Sequence, residues 1–272
     1  HTITFILGHA LYMKAIHGGK AKNDKIDSYK IAHLLRGGTF PTAYVYPREM
    51  RSTRDLLRRR LHLMRKRSEL LRHIHNTNTQ YNLPEIGKNL RYKGNRALVE
   101  NRFEDASVQK SMDLNINLIN FYDHELSSVE SYLLKNVKVH DYHSYMLLKS
   151  IPGIGDILSM VILYEIHTID RFKTVQDFAS YARLVKCMAE SAGKTYGTSG
   201  AKIGNAHLKW AFSEAAVLFL RGNPKAKSYV NKLAKKHNKG KALSILAHKL
   251  GRAVYYMLKR KEIFDAGKFL TA

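Results

Sequence analysis

Ser191 is set among glycines and lysines, in the run Glu190-Ser191-Ala192-Gly193-Lys194-Thr195-Tyr196-Gly197, followed by Lys202-Ile203-Gly204-Asn205 and Leu208-Lys209. Glycine lets a backbone come close to a phosphate, lysine neutralises that phosphate, and a hydroxyl held there could attack it. Lys194 and Lys202 supply the polarising charge. No histidine lies within a few residues of Ser191, so a Ser-His-Asp triad is not indicated. Read on its own, the run is first a Gly/Ser connector between helices. A second candidate is Lys22-Asn23-Asp24-Lys25-Ile26-Asp27, entering a helix. Two carboxylates three apart share a helix face or straddle its N-terminus. Spacing alone favours N-capping by Asp24 or Asp27. The chemical reading is a divalent-metal site, because Mg²⁺ takes one or two protein carboxylates together with phosphate oxygens. A third is Lys149-Ser150-Ile151-Pro152-Gly153-Ile154-Gly155-Asp156, the apolar-Pro-Gly-apolar-Gly pattern of a helix-hairpin-helix. Its turn would offer backbone N–H groups around Gly153 and Gly155 to a DNA phosphate. The plainer reading is a tight helix–helix turn.

The elements that must position these residues are mainly helical. Residues 2–7 are β-branched and aromatic and read as one short strand. A lone strand forms no sheet, so its partners are expected upstream. Asp27 to Leu35 reads as a helix stopped by Gly37-Gly38, and Thr39 to Pro47 as an extended connector. Residues 49–76 lack Pro and Gly, and Leu57, Leu61, Met64, Leu71 and His75 follow 4-3 spacing, the pattern of a coiled coil. A second, more acidic helix from about Ser111 to Asn136 carries Leu118, Tyr122, Leu126, Val129 and Leu133. The two are expected to pair as an antiparallel hairpin, within or between chains. Residues 145–260 read as all-helical, with Trp210 and its apolar neighbours as core. The fourteen histidines show no metal-ligand spacing and read as surface or core fillers.

The chain has 272 residues and a net charge of +24, from 46 Lys/Arg against 22 Asp/Glu. Such an excess points to a polyanionic partner, most economically nucleic acid. From Leu220 to Glu262 there are thirteen Lys/Arg and one acid, interleaved with apolar residues, the pattern of a folded helix face that is basic outside. Cys187 is the only cysteine, which excludes an intrachain disulfide and a thiolate metal cluster. No apolar run approaches the ~18 residues of a membrane span, and no signal peptide is visible. The expected location is the cytoplasm, with the nucleoid.

Taken together, these stretches resemble the DEDD-type, serine-dependent insertion-sequence transposases of the IS-one-ten family. The resemblance is carried by His9-Ala10-Leu11-Tyr12-Met13-Lys14-Ala15-Ile16-His17-Gly18-Gly19-Lys20, by Lys22 to Asp27, by Ile151-Pro152-Gly153-Ile154-Gly155, by Phe178-Ala179-Ser180-Tyr181, and by the block from Ser191 to Lys209. It implies the remnant of an α/β RNase H-like domain over residues 1–47, a coiled-coil hairpin over 48–140, and a helical transposase domain with a helix-hairpin-helix over 145–262. It implies that Asp24 and Asp27 are the last two of four acids that hold Mg²⁺, and that Ser191 becomes joined to DNA. Gly153, Gly155, Lys194, Lys202 and Asn205 are the expected DNA contacts. The implied partners are DNA, a non-coding bridge RNA that guides target choice, and further copies of the chain in a dimer or tetramer. The family's first two acids belong to strands ahead of the segment that begins at His1, so the expectation is an N-terminally truncated transposase, not competent for strand exchange alone. Two other readings compete: a non-catalytic helix-hairpin-helix nucleic-acid binder, which leaves Ser191 and the aspartate pair unexplained, and a ribosome-associated RNA protein, which fits charge alone.

Overall fold

The computed structural model describes residues 4–13, 23–186, 189–191, 193–197 and 203–271. As expected, it is mainly helical. Most helices begin where a short polar side chain can take up free N–H groups, which is why these boundaries fall where they do. Helix α1 (Asp24–Arg36) is capped by Asn23, α3 (Ala106–Asn136) by Asp105 and α4 (Tyr142–Lys149) by Asp141. Helix α6 (Val175–Tyr181) begins on a reciprocal Thr174/Asp177 capping box. Asn205 caps α7 (Ala206–Phe219), Asn223 followed by Pro224 caps α8 (Pro224–Lys236), and Asn238 caps α9 (Lys239–Arg260). A short α10 (Ala266–Thr271) closes the chain.

The long helix α2 (Arg48–Gln80) and α3 pair within the chain, antiparallel. Three polar cross-links set the register: Arg60 to Glu130 at 2.5 Å, Arg67 to Asp123, and His73 Nδ1 to Asn115 at 3.1 Å. As the partner number falls, the α2 number rises, as antiparallel packing requires. The outer half of this pair has its own core of Leu71, Ile74, Leu90, Val99, Phe103, Met112 and Ile119. Its inner half is different: Met50, Leu57 and Leu133 belong to the large core built by helices α4 to α10. Within that core Leu208, Phe212, Ala215 and Ala216 are fully buried, as expected, and Trp210 packs at its edge.

Helix α5 (Asp156–Ile166) runs through the middle of the large core, buried from Leu158 to Ile166. The turn between α4 and α5 is held against α7 by Gly153. This residue has φ +87°, and a Cβ there would lie 2.7 Å from the Leu218 carbonyl carbon, so only glycine fits both the conformation and the contact. Gly155, the residue before α5, faces open space.

Three expectations need correction. Residues 4–7 are extended but form no strand; the only described pairing is an antiparallel bridge between Gly8 and Thr42, whose partner is downstream, and residues 1–3 lie outside the described residues. Helix α1 forms from Asp24, three residues earlier than expected, yet none of its residues is fully buried, and Ile26, Ile31 and Leu34 on its apolar face are only half-buried. Residues 145–260 are not all helical: β1 (Ala189–Ser191) and β2 (Lys194–Gly197) make a small antiparallel hairpin that turns at Gly193, φ +74°. The tight turn allowed by Gly193 explains why a ladder wins here.

Replacing Gly153 by Ala is expected to destabilise the protein by more than about 1 kcal/mol, because strain and overlap with α7 add. Gly155→Ala is expected to be nearly silent. Urea unfolding of the two variants checks the contrast, and equal midpoints would refute it.

Candidate functional site

Glu165 is the one acid of helix α5 beyond its first turn, in a segment otherwise apolar. Its side chain is 3% exposed and is held by two arginines from α2: Arg54 at 2.9 Å, and Arg58, whose Nε and Nη2 reach both carboxylate oxygens at 2.6 and 2.9 Å. A third donor comes from α7's cap, with Asn205 Nδ2 2.7 Å from Oε2. Burial pushes the Glu165 carboxyl up, but the Arg58 hydrogen bonds and both guanidinium charges outweigh it, and the group is held below its ordinary value. It is therefore a charged, fully satisfied carboxylate.

Around it stands a cluster of rings. The connector between 39 and 47 forms no helix and pairs only at Thr42, and it brings Tyr46 to Glu165 and Tyr44 to Arg171. The Tyr46 hydroxyl donates to the Glu165 carbonyl at 2.7 Å and lies 3.0 Å from the Tyr181 hydroxyl. Arg171 sits among them, its guanidinium 4.2 Å from the Tyr44 ring centre, 4.4 Å from Tyr181 and 4.5 Å from Phe172. Burial raises both phenols. At Tyr181 the Arg171 charge and donated hydrogen bonds win, holding it below the usual tyrosine range, while Tyr46 stays raised by burial and by Tyr181. Next to this cluster the Tyr44 hydroxyl meets His167 Nδ1. His167 ends α5 at φ +62°, a strained conformation for a histidine.

Of these residues, Tyr44, Arg54, Arg58, Arg171, Phe172 and Tyr181 line a cleft of about 680 Å³. One wall is the N-terminal segment with His9, Tyr12, Thr42 and Tyr44; the other is Ser180, Tyr181, Arg183 and the segment from Ile203 to His207. The chain that carries Ser191 leaves and re-enters the core at the rim of this cleft. Arg183 Nε donates to the Ile203 carbonyl at 2.9 Å, and the Asn205 N–H donates to the Tyr181 carbonyl at 2.6 Å. Gly204, φ +90°, lies so close to α6 that a Cβ would be 2.6 Å from that same carbonyl oxygen. Both ends of the excursion are thus tied to the end of α6.

The expected site residues fall in several places. Ser191 ends β1 and pairs with Lys194 in the ladder; its side chain lies outside the described residues, as does Lys202. Lys194 is exposed. Asn205 is buried and fully used, its Oδ1 capping α7 through His207 N and Leu208 N while its amide holds Glu165. Gly153 packs on α7 and Gly155 is open, both away from the cleft. Near Gly155 the Asp156 carboxylate accepts hydrogen bonds from Lys149 and Tyr145, and these hold it below its ordinary value.

Asp24 and Asp27 both lie in the first turn of α1, but neither caps it: Asn23 Oδ1 accepts the Ile26 N–H at 2.9 Å. Asp24 is exposed. Asp27 is half-buried, and its Oδ1 is buried without a hydrogen-bond partner. A buried carboxylate oxygen without a donor is costly unless a ligand takes it up, and a hard cation is a natural one. The pair fits the share of such a site that two acids supply; no group of three or more His, Cys, Asp or Glu gathers among the described residues. No residue of α1 lines the cleft.

Sequence reasoning gave no site role to Glu165, Arg171, Tyr46 or His207, and it used Tyr181 and His9 only as marks of the resemblance. The available signal was Glu165 itself, a lone acid in an apolar helix, which must find a partner.

A family model described as Transposase (DEDD_Tnp_IS110) matches residues 2–83, and one described as Transposase IS116/IS110/IS902 family matches residues 145–231. No curated protein matches the chain. Among the described residues no helix is long and apolar enough to cross a membrane.

Glu165→Ala would leave two guanidiniums without their carboxylate and is expected to cost about 3 kcal/mol. Because the folded group titrates below the 4.5 of an ordinary glutamate, its contribution is complete above that value. It fades as pH falls through the depressed value. The gap in stability between wild type and Glu165→Gln should therefore narrow with acidification below about pH 4. Thermal melts across that range check it, and a gap that widens would refute it.

Proposed function

Two matched models of one transposase family, together covering more than half of the chain, support an IS110-family transposase, and from that premise we propose that Ser191 is its DNA-joining nucleophile. The observation that carries this reading is the anchoring of the Ser191 segment. The described residues on either side of it are tied to the end of α6, Arg183 to the Ile203 carbonyl and Asn205 to the Tyr181 carbonyl, and they line a cleft that also holds Arg54, Arg58 and Arg171. A cleft lined by these arginines draws a phosphodiester by charge toward the point where the segment leaves and rejoins the core.

In the proposed reaction the Ser191 Oγ attacks a DNA phosphorus. An Oγ–P bond forms, one P–O bond of the phosphodiester breaks, and the departing DNA hydroxyl carries the proton. Strand transfer is the reverse step with a different DNA hydroxyl, which restores the serine. Lys194 and Lys202, on the same segment, offset charge on the attacked phosphate. Asn205 serves as a positioning residue through the α7 cap and Glu165. Asp24 and Asp27 would hold Mg²⁺, which when bound supplies Lewis-acid activation of phosphate oxygen. The turn at Gly153 and Gly155 is proposed as a helix-hairpin-helix contact to the DNA backbone, and α2 and α3 as a coiled-coil arm. Assembly into a dimer or tetramer and guidance by a bridge RNA complete the reading; the exposed lysines of α8, among them Lys225, Lys232 and Lys236, are a surface of the right sign for either nucleic acid.

In the full-length form, with the two further acids the family implies, incubation with a cognate DNA end should yield a protein–DNA adduct that survives denaturation, and Ser191→Ala should abolish it. An adduct of equal yield in Ser191→Ala would remove the assignment. Asp24→Ala is expected to lower strand transfer at least ~100-fold, in line with the loss of a metal ligand, and to make the residual rate insensitive to added Mg²⁺. Unchanged Mg²⁺ dependence would remove the metal role.

A further inference from the structure

The cleft beside Arg171 holds more uncommitted donors than the fold requires. Four guanidiniums, Arg54, Arg58, Arg171 and Arg183, line it, against one lining carboxylate, Asp177, with Glu165 bound behind Arg54 and Arg58. Glu165 is spent on Arg54 and Arg58, and Asp177 on the Thr174 capping box. No carboxylate lies within ion-pair distance of Arg171 or Arg183 among the described residues. Five buried side-chain polar atoms lack any hydrogen-bond partner there, and three of them belong to this cleft: His9 Nδ1, Arg171 Nε and His207 Nδ1. Orphaned buried groups are rare in folded proteins, and their convergence on one cavity marks a place where a ligand completes the bonding.

The mouth adds flat surfaces. Tyr12 and Tyr44 keep 53% and 39% of their area exposed, and Tyr12 stands 4.4 Å from the His9 ring. Exposed rings beside unpaired guanidiniums are how proteins take hold of single-stranded nucleic acid, with bases on the rings and phosphates on the cations. At about 680 Å³ the cleft admits a nucleotide and excludes a duplex.

We infer that this cleft is a binding site for one unpaired nucleotide of a nucleic-acid strand, its base stacked on Tyr12 at the mouth and its phosphate drawn to Arg171 and Arg183. The site rests on the transposase reading only in taking nucleic acid as the ligand. The strand could be DNA or RNA, since both present the same base face and phosphate.

The test uses the whole chain and two duplexes of about 20 base pairs, one fully paired and one with a single bulged 2-aminopurine nucleotide. Binding is followed by anisotropy and by 2-aminopurine fluorescence. The wild type should bind the bulged probe about ten-fold more tightly than the paired one and quench its fluorescence. Tyr12→Ala and Arg171→Gln should remove the preference and the quenching while leaving the paired duplex within about two-fold. Should Arg171→Gln melt early, Tyr12→Ala decides alone, because Tyr12 is exposed and outside both cores. Equal binding of both probes by the wild type, or a preference untouched in Tyr12→Ala, overturns the site and leaves the transposase reading standing. Failure of the wild type to bind either probe removes that reading and the site with it. A bulge of deoxy- or ribonucleotide, whichever binds more tightly, identifies the strand.

Discussion

A charged carboxylate in the middle of an apolar helix sets the terms for everything around it. Desolvating Glu165 would be prohibitive by itself, so donors from two other parts of the chain reach its carboxylate, and a third part bonds its backbone carbonyl. Arg54 and Arg58 bring the base of α2, Asn205 brings the start of α7, and Tyr46 brings the connector that precedes α2. The apolar core accounts for most of the burial, yet it would tolerate several orientations of α2 on α5. The geometry of a doubly hydrogen-bonded Arg58 tolerates few. The same carboxylate therefore fixes the angle of the α2–α3 pair and the position of the α7 cap.

A second consequence follows for the cleft. With Glu165 claimed by α2, the nearby Arg171 has to be stabilised by rings and carbonyl oxygen instead of a carboxylate. Its positive charge stays uncancelled at short range, and this is what lowers the Tyr181 phenol. The cleft stays basic because Glu165, the buried acid nearest its four arginines among the described residues, is already occupied by two of them.

Much of the scaffold could be read from the sequence, because its causes are local. The 4-3 spacing from Leu57 to His75 and the acidic character of 111–136 give two long helices that attract each other, and both form and pair. The basic, apolar-interleaved stretch after Leu220 folds as helices with lysines outside. The Glu165 cluster was not legible, since the partners of Glu165 named above lie 40 to 119 residues away in sequence, and no periodicity encodes such a meeting. Asn205 shows a different failure. It stands before an apolar helical run, the signature of an N-cap, but its neighbourhood of lysines and glycines invited a reading as a ligand contact; the structure spends both ends of its amide internally. Asp24 and Asp27 went the other way. Capping was the plain expectation, and Asn23 takes that task from them, leaving two carboxylates and one unsatisfied oxygen. Among the described residues 4–7 no strand forms, because residue preference cannot supply a ladder: the pairing there is the single bridge of Gly8 with Thr42 and its flanking bonds.

The length of α2 gives the Glu165 clamp a mechanical meaning. Its 33 residues make a rod of roughly 50 Å, gripped close to one end by Arg54 and Arg58. Tilting such a rod by one degree sweeps its tip through roughly 0.9 Å, while the gripped end barely shifts. The α2–α3 pair is thus a lever whose fulcrum is a carboxylate shared with the helix that receives the Ser191 segment. A load applied far out on the arm is felt as torque at the cap of α7.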